Sequence, residues 1–111
     1  MLIPERVKVG PAVYSVELNA DKIIDMARKT DTSHYGYSDH KVREIVIDPG
    51  CDSGLVAEIL WHEVRHCIYH VVGRTGQDME EEEAIECSAP MEVLVLRENP
   101  ELLHYLIKEQ I

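Results

Sequence analysis

The chain has 111 residues, with 11 Lys and Arg against 21 Asp and Glu, and a formal net charge of -10 at pH 7. This length predicts a single domain over residues 1–111, and the charge argues against DNA or RNA as a partner, because phosphate contacts supply most of that affinity. We expect no signal peptide and no membrane span, which needs about 18 apolar residues. The three cysteines lack CxxC spacing and fit reduced thiols, so we expect a cytoplasmic protein.

Strands and one short helix are predicted in the first half of the chain. Residues 5–18 alternate apolar and polar side chains around a Gly-Pro turn, which predicts a β-hairpin. Residues 19–30 place apolar side chains at helical spacing, with Asn19 as a suitable N-cap. Residues 31–40 are polar and rich in turn formers, and residues 41–48 have the pattern of a third strand.

A long helix is predicted next, over about residues 54–72. Asp52 or Ser53 can accept hydrogen bonds from its first amides, and Gly73 suits the left-handed position that ends many helices. At about 100° per residue its apolar side chains share one stripe, while Arg65 projects into solvent on the opposite side.

A second long helix is predicted over about residues 79–97, and a short terminal helix begins at Asn99 and Pro100. Pro90 lies inside the second helix, where its missing amide predicts a kink or a break. The apolar stripe of this helix is predicted from Ile85, Ala89 and Leu96, with Ser88 and Val95 alongside. Strands first and helices last predict an α+β fold, in which a small antiparallel sheet of about three strands packs on two long helices.

The first long helix carries the segment "HEVRH", an HExxH motif. His62 and His66 are one turn apart on the border of the apolar stripe, so both can reach one metal ion. Glu63 projects to the edge of the buried stripe, where a carboxylate is costly unless something pairs with it. This spacing predicts a metal site in which Glu63 takes the proton of an attacking water molecule. The alternative is an ordinary helix with surface histidines.

A third metal ligand is needed, and His70 is a poor candidate. Three histidines at successive i, i+4 positions span about 12 Å along a straight helix, so they cannot converge on one tetrahedral ion. We therefore expect His70 to be a boundary residue or a neighbour of the site.

The acidic run at the start of the second long helix offers better candidates. Glu82 and Glu86 share one flank of the predicted stripe, whereas Glu83 points about 100° away. We predict Glu82 as the third ligand and Glu86 as a carboxylate that orients a ligating histidine. Glu83 and Glu86 stay open as alternative ligands because Pro90 can shift the register. A set of two His and one Glu suits zinc.

These features resemble the gluzincin metallopeptidases, in which a helix with a glutamate ligand follows the HExxH helix. The chain is more closely similar to small phage and prophage zinc peptidases related to the ImmA/IrrE group, through "HKVREIVID", "LWHEVRH", "EEAIECSA" and "LRENPELLHYL". The resemblance implies a minimal zincin-like fold, a zinc cofactor and a peptide or protein substrate lying antiparallel along an edge strand. Arg65 departs from the extended zincin pattern, which prefers an uncharged residue there.

The sequence leaves three matters open. No motif identifies the residue that stabilises the oxyanion, and the candidates are Tyr35, Tyr37, His34, His40 and His104. The alternative function is a non-catalytic zinc-binding module, in which His70, Cys67 or Cys87 would fill the fourth coordination position. The oligomeric state does not follow from the sequence.

Overall fold

The structure, a computed structural model, describes residues 2–73 and 81–108, apart from the side chains of residues 81, 82 and 87. Four strands and four helices occur in this part of the chain. In order they are β1 (Arg6–Val9), β2 (Ala12–Leu18), α1 (Ala20–Thr30), β3 (Gly36–Asp39), β4 (Glu44–Ile47), α2 (Ser53–Val71), α3 (Glu81–Glu98) and α4 (Pro100–Ile107). The α+β class and the β1–β2 hairpin are confirmed.

The sheet differs from the expected three antiparallel strands. It has four strands in the order β1-β2-β4-β3, and β2 pairs with β4 in parallel. Strand β3, which pairs antiparallel with β4, lies in the segment that we expected to be only turns. Its residues are Gly, Tyr, Ser and Asp, so pairing with β4 rather than intrinsic propensity determines the strand.

Both faces of the sheet are covered. Ile45 and Ile47 belong to the main core together with apolar side chains of α2, whereas Val46 points to the opposite face, where α1 contacts β4. The side chains of Ile45, Val46 and Ile47 are fully buried, as expected for a strand between two layers. This arrangement places α2 alongside β3 and β4.

The helix ends follow the predicted capping chemistry. The Lys22 amide donates to Asn19 Oδ1 (3.0 Å), and the Leu55 amide donates to Asp52 Oδ2 (3.2 Å). After α2 the chain turns through Gly73 at φ +74°, a conformation that glycine adopts without strain. The position of α2 along the sequence is therefore determined by local signals at both ends.

Helix α3 differs from the prediction in two respects. It continues through Pro90 without the break that was one of the two expected outcomes, and its buried side chains among those described are Ser88 and Val95, while Ile85 is half exposed. The predicted start of this helix near residue 79 lies outside the described residues. Among the described helices, none is long and apolar enough to cross a membrane.

Candidate functional site

The HExxH segment lies in the middle of α2. Val56, Leu60, Val64, Cys67 and Ile68 are buried against the sheet, which fixes the rotation of the helix. That rotation leaves His62 and His66 exposed on the border and turns Glu63 inward, where it is only 6% exposed. The predicted division between an inward carboxylate and two outward imidazoles is therefore observed.

The His62 and His66 imidazoles converge at a hydrogen-bond distance, slightly shorter than the separation of two nitrogens bound to one metal ion. Their Nε2 atoms are 3.1 Å apart, and the ring planes meet at 78°. Two nitrogens bound to tetrahedral zinc at about 2.0–2.1 Å lie roughly 3.4 Å from each other. The pair thus fits a zinc ion with only small side-chain adjustments.

Glu63 is a buried carboxylate on the inner side of this pair. No described residue donates a hydrogen bond to it, and its exposed part borders a groove between α2 and the segment leading into β3. Its charge contributes to raising the pKa of the Cys67 thiol to about 12, although burial of that thiol is the larger cause. A carboxylate in this position can accept a proton from a water molecule in the groove.

The groove beside Glu63 has a volume of about 480 Å³. Its lining residues are Ser33, His34, Tyr35, Gly36, Leu55, Glu58, Ile59, His62 and Glu63. Strand β3 approaches α2 closely here, because a Cβ on Gly36 would lie 2.6 Å from Ile59 Cγ2 and 3.7 Å from Glu63 Cγ. Glycine at this position therefore allows the strand to pack beside the motif.

Strand β3 is an edge of the sheet, and its outward backbone groups can be assigned. The Asp48 amide donates to the Tyr35 carbonyl (2.8 Å), and the Ile47 carbonyl opposite Gly36 accepts from Asn19 on the β2 side. In an antiparallel ladder, opposite residues alternate between hydrogen-bonded and non-hydrogen-bonded pairs. Gly36 and Ser38 belong to the non-hydrogen-bonded pairs, so their amides and carbonyls point away from β4. No described strand pairs with this edge.

Arg65 lies outside the groove, on the side of α2 that faces α3. It is exposed, its Nε is 3.1 Å from Glu92 Oε1, and its guanidinium lies 6.0 Å from the centre of the Tyr69 ring. Arg65 occupies a position where the extended zincin pattern has an uncharged residue. Because its side chain points away from the groove, it does not displace His62, Glu63 or His66.

The predicted third ligand cannot be located. The side chain of Glu82 lies outside the described residues, so its role stays a prediction. Glu83 and Glu86 are exposed on α3, and within the described residues no hydrogen bond joins Glu86 to His62 or His66. The same part of the chain contains no group of three His, Cys, Asp or Glu side chains that could hold a metal ion.

His70 forms a contact that the sequence did not suggest. Its ring stacks on that of His40, with centroids 4.1 Å apart and planes within 2°. His40 Nδ1 lies 2.8 Å from the hydroxyl of Tyr14, a residue of β2 that is 1% exposed. Sequence analysis missed Tyr14 because it looks like an ordinary inward residue of a hairpin.

The other oxyanion candidates lie in different surroundings. Tyr35 and His34 line the groove, and His34 Nε2 is 2.8 Å from Thr30 Oγ1. Tyr37 has its pKa raised by burial and by the Glu44 carboxylate. His104 lies on α4, beside the segment that precedes β1.

Comparison with known proteins adds no assignment to this geometry. No protein-family model, curated protein or solved structure matches the chain.

Proposed function

We propose that the chain is a zinc-dependent peptidase with a minimal zincin-like fold, acting in the cytoplasm. The observation that carries the proposal is the convergence of the His62 and His66 Nε2 atoms, 3.1 Å apart, beside the buried Glu63. Two imidazoles at ligand spacing and one carboxylate that opens into a groove are the parts that metal-assisted peptide hydrolysis needs.

The peptide would bind along the open edge of β3. Gly36 and Ser38 offer outward amides and carbonyls that can form a ladder with an extended chain, as in recognition by strand addition. The edge lies beside the groove that Glu63 borders. A peptide bond held there would be presented to His62, Glu63 and His66 together.

The resemblance to gluzincins implies a peptide antiparallel to the edge strand, so the direction of β3 would set the direction of the substrate. This strand runs alongside α2, with Gly36 near Ile59 at its start and His40 next to His70 just after its end. An antiparallel peptide would pass His40 with its amino-terminal part. The residue that follows the scissile bond would enter the groove against Leu55 and Ile59.

Each residue would have a distinct part in hydrolysis. His62 and His66, with Glu82 as the predicted third ligand, would hold zinc, and a bound zinc ion would supply Lewis-acid chemistry to the site. Glu63 would accept the proton of an attacking water molecule and deliver it to the leaving amine. Its burial keeps the carboxylate fixed in one direction, so little reorganisation is needed.

The test combines zinc content with peptide cleavage. Wild type, Glu63→Gln and His66→Ala would be purified without chelators, analysed by metal mass spectrometry and incubated with a random ten-residue peptide library. We expect one zinc per chain in wild type and in Glu63→Gln, cleavage by wild type only, and loss of both properties in His66→Ala. Glu101→Gln, on α4 beside the segment that precedes β1, is the matched control for Glu63→Gln.

Three results would contradict different parts of the proposal. Wild type without stoichiometric zinc removes the metal site altogether. Wild type that holds zinc but cleaves no peptide leaves the alternative of a non-catalytic zinc-binding module. Cleavage by Glu63→Gln at the wild-type rate would overturn the role of that residue while leaving the metal site intact.

A further inference from the structure

Tyr14, His40 and His70 form a small cluster that the proposed hydrolysis does not use. Tyr14 lies on β2 with its side chain in the core shared with α2. His40 follows the last residue of β3, and His70 lies one turn beyond His66 on α2. The His40 ring is held at one nitrogen by the Tyr14 hydroxyl and across one face by the His70 ring. Such double restraint is unusual for a partly exposed histidine, because rings at the surface ordinarily rotate.

The cluster does not have the geometry of a second metal site. An ion bound by an imidazole nitrogen lies close to the plane of that ring. The His40 and His70 planes are parallel within 2° and their centroids are 4.1 Å apart, so one ion cannot lie in both planes. The restraint on His40 therefore calls for a role as a hydrogen-bonding group rather than as a ligand.

Hydrogen-bond chemistry favours one of the two neutral tautomers of His40. Burial raises the pKa of Tyr14 to about 12, so the phenol is protonated, and burial likewise raises the pKa of the neighbouring Cys67 thiol to about 12. Imidazole nitrogen is a much stronger acceptor than a thiol sulfur. This difference favours donation from the Tyr14 hydroxyl to His40 Nδ1, which leaves the hydrogen of a neutral imidazole on Nε2.

The charge state of His40 agrees with this tautomer. Burial and the neighbouring His70 and His66 lower its pKa, while Asp39 acts in the opposite direction. A neutral imidazole with Nδ1 as acceptor has Nε2–H as a single donor.

His40 directly follows β3, the strand along which the proposed substrate would bind. The rise of an α-helix places His70 about 6 Å beyond His66 along α2. An extended peptide advances about 3.4 Å per residue, so this distance corresponds to roughly two residues of bound chain. In the antiparallel direction these residues lie on the amino-terminal side of the scissile bond.

We propose that His40 Nε2–H donates a hydrogen bond to a backbone carbonyl of the peptide, about two residues before the scissile bond, and that Tyr14 is the positioning residue that sets the His40 ring. The inference rests on the proposed peptidase function. It makes the site selective for internal or extended peptides over short ones, since a substrate that lacks this carbonyl loses the contact.

The experiment measures kcat and KM of wild type, His40→Phe, His40→Gln and Tyr14→Phe on the best-cleaved peptide of the library and on a truncated form. The truncated peptide begins at the residue just before the scissile bond. For the long peptide we expect His40→Phe to lower kcat/KM roughly 10-fold, mainly through KM, as for the loss of one neutral hydrogen bond. His40→Gln, whose amide can donate from a similar position, recovers part of this loss.

The truncated peptide distinguishes a direct contact between His40 and the substrate from a purely structural role of His40. If His40 binds the missing carbonyl, His40→Phe and wild type cleave the short peptide equally well. Equal losses on both peptides, or no loss on the long one, overturn the proposal. If His40→Phe does not fold, His40→Gln against the two peptides decides the same question.

A second readout does not need catalysis. Nitrogen-15 NMR of wild type should show His40 as the Nε2–H tautomer, and Tyr14→Phe should shift it toward a mixture. A wild-type His40 in the Nδ1–H form contradicts the inference whatever the activity. Absence of any cleavage by zinc-loaded wild type removes the proposed function and the substrate contact together, while the tautomer result still stands separately.

Discussion

Strands β1 and β3 are the two edges of one sheet, and they differ in whether an outward residue is hydrogen-bonded by another part of the chain. At β1, the Asn99 side chain accepts from the Lys8 amide and donates to the Lys8 carbonyl, both at 2.8 Å. At β3, Gly36 and Ser38 direct the equivalent groups outward, with no described strand beside them. Proteins ordinarily cover or blunt sheet edges because open ones recruit other chains.

The difference between the edges is informative because the open one lies beside the HExxH motif. A side-chain amide closes β1 at the corner between α3 and α4, where the Lys8 ammonium also lies 2.6 Å from Glu98 Oε2. The open edge is adjacent to His62 and Glu63 along the groove. We therefore expect changes at β3 to affect peptide cleavage, and changes at β1 to affect stability without affecting cleavage.

The largest effect is expected from Gly36→Ala, which acts on the open edge. The added methyl would lie 2.6 Å from Ile59 Cγ2, so β3 must move away from α2. We expect unfolding free energy to fall by about 1–3 kcal/mol, and kcat/KM to fall at least 10-fold because the groove changes shape. Urea denaturation and peptide kinetics measure the two effects.

Two further variants test whether the close approach to α2 is the cause. Ile59→Leu removes the branched methyl, so Gly36→Ala combined with it should recover part of both losses. Gly54→Ala, at the start of α2, is the matched glycine control, because the nearest atom to its Cβ is an Asp52 carboxylate oxygen at 3.3 Å. A Gly36→Ala protein with wild-type stability and kinetics would show that the strand position is not critical.

Asn99→Ala tests the covered edge. The change removes the two bonds to Lys8 and a third from Asn99 Nδ2 to the Val95 carbonyl at 2.7 Å. Because water can replace part of these bonds, we expect a loss of about 1–2 kcal/mol in unfolding free energy. Peptide kinetics should stay at the wild-type level, and a fall in kcat/KM at unchanged stability would contradict the division between the edges.

Much of this fold could be predicted from local sequence signals. The Asn19 and Asp52 caps, Gly73 and the apolar stripe of α2 each act over a few residues, so pattern analysis found them. It also found the inward direction of Glu63, because helical rotation follows from the side chains on the same helix.

The rest depends on long-range pairing. Strand β3 has turn-forming residues and exists only because β4 pairs with it, and the parallel β2–β4 pairing has no local signature. The continuous apolar run from Ile45 to Ile47 was an available clue to a central strand buried on both faces. Contacts such as that between Tyr14 and His40, 26 residues apart, depend on the same pairing and were missed.

Proline at each edge compares the two strands directly. Proline removes one amide donor and is tolerated where that amide points away from the sheet. Ser38→Pro should lower kcat/KM roughly 10-fold, the effect of about one hydrogen bond to a bound peptide, and Ser38→Ala controls for the lost hydroxyl. Lys8→Pro should instead lower stability by about 1 kcal/mol, since its amide bonds Asn99 Oδ1. Reversed effects at the two positions would invert our assignment of the edges.

The smallest effect is expected from Glu98→Gln, which separates charge from amide bonding at the covered edge. The Lys8–Glu98 pair is short, at 2.6 Å, but its side chains are 49% and 30% exposed, so water and salt screen the attraction. Surface pairs of this kind contribute about 0–1 kcal/mol. We expect Glu98→Gln to change the urea midpoint much less than Asn99→Ala, and its small effect to vanish in high salt. A loss as large as that of Asn99→Ala, persisting in salt, would mean that the ion pair rather than the amide closes β1. Either result leaves β3 as the edge available to a peptide, because neither residue contacts that strand.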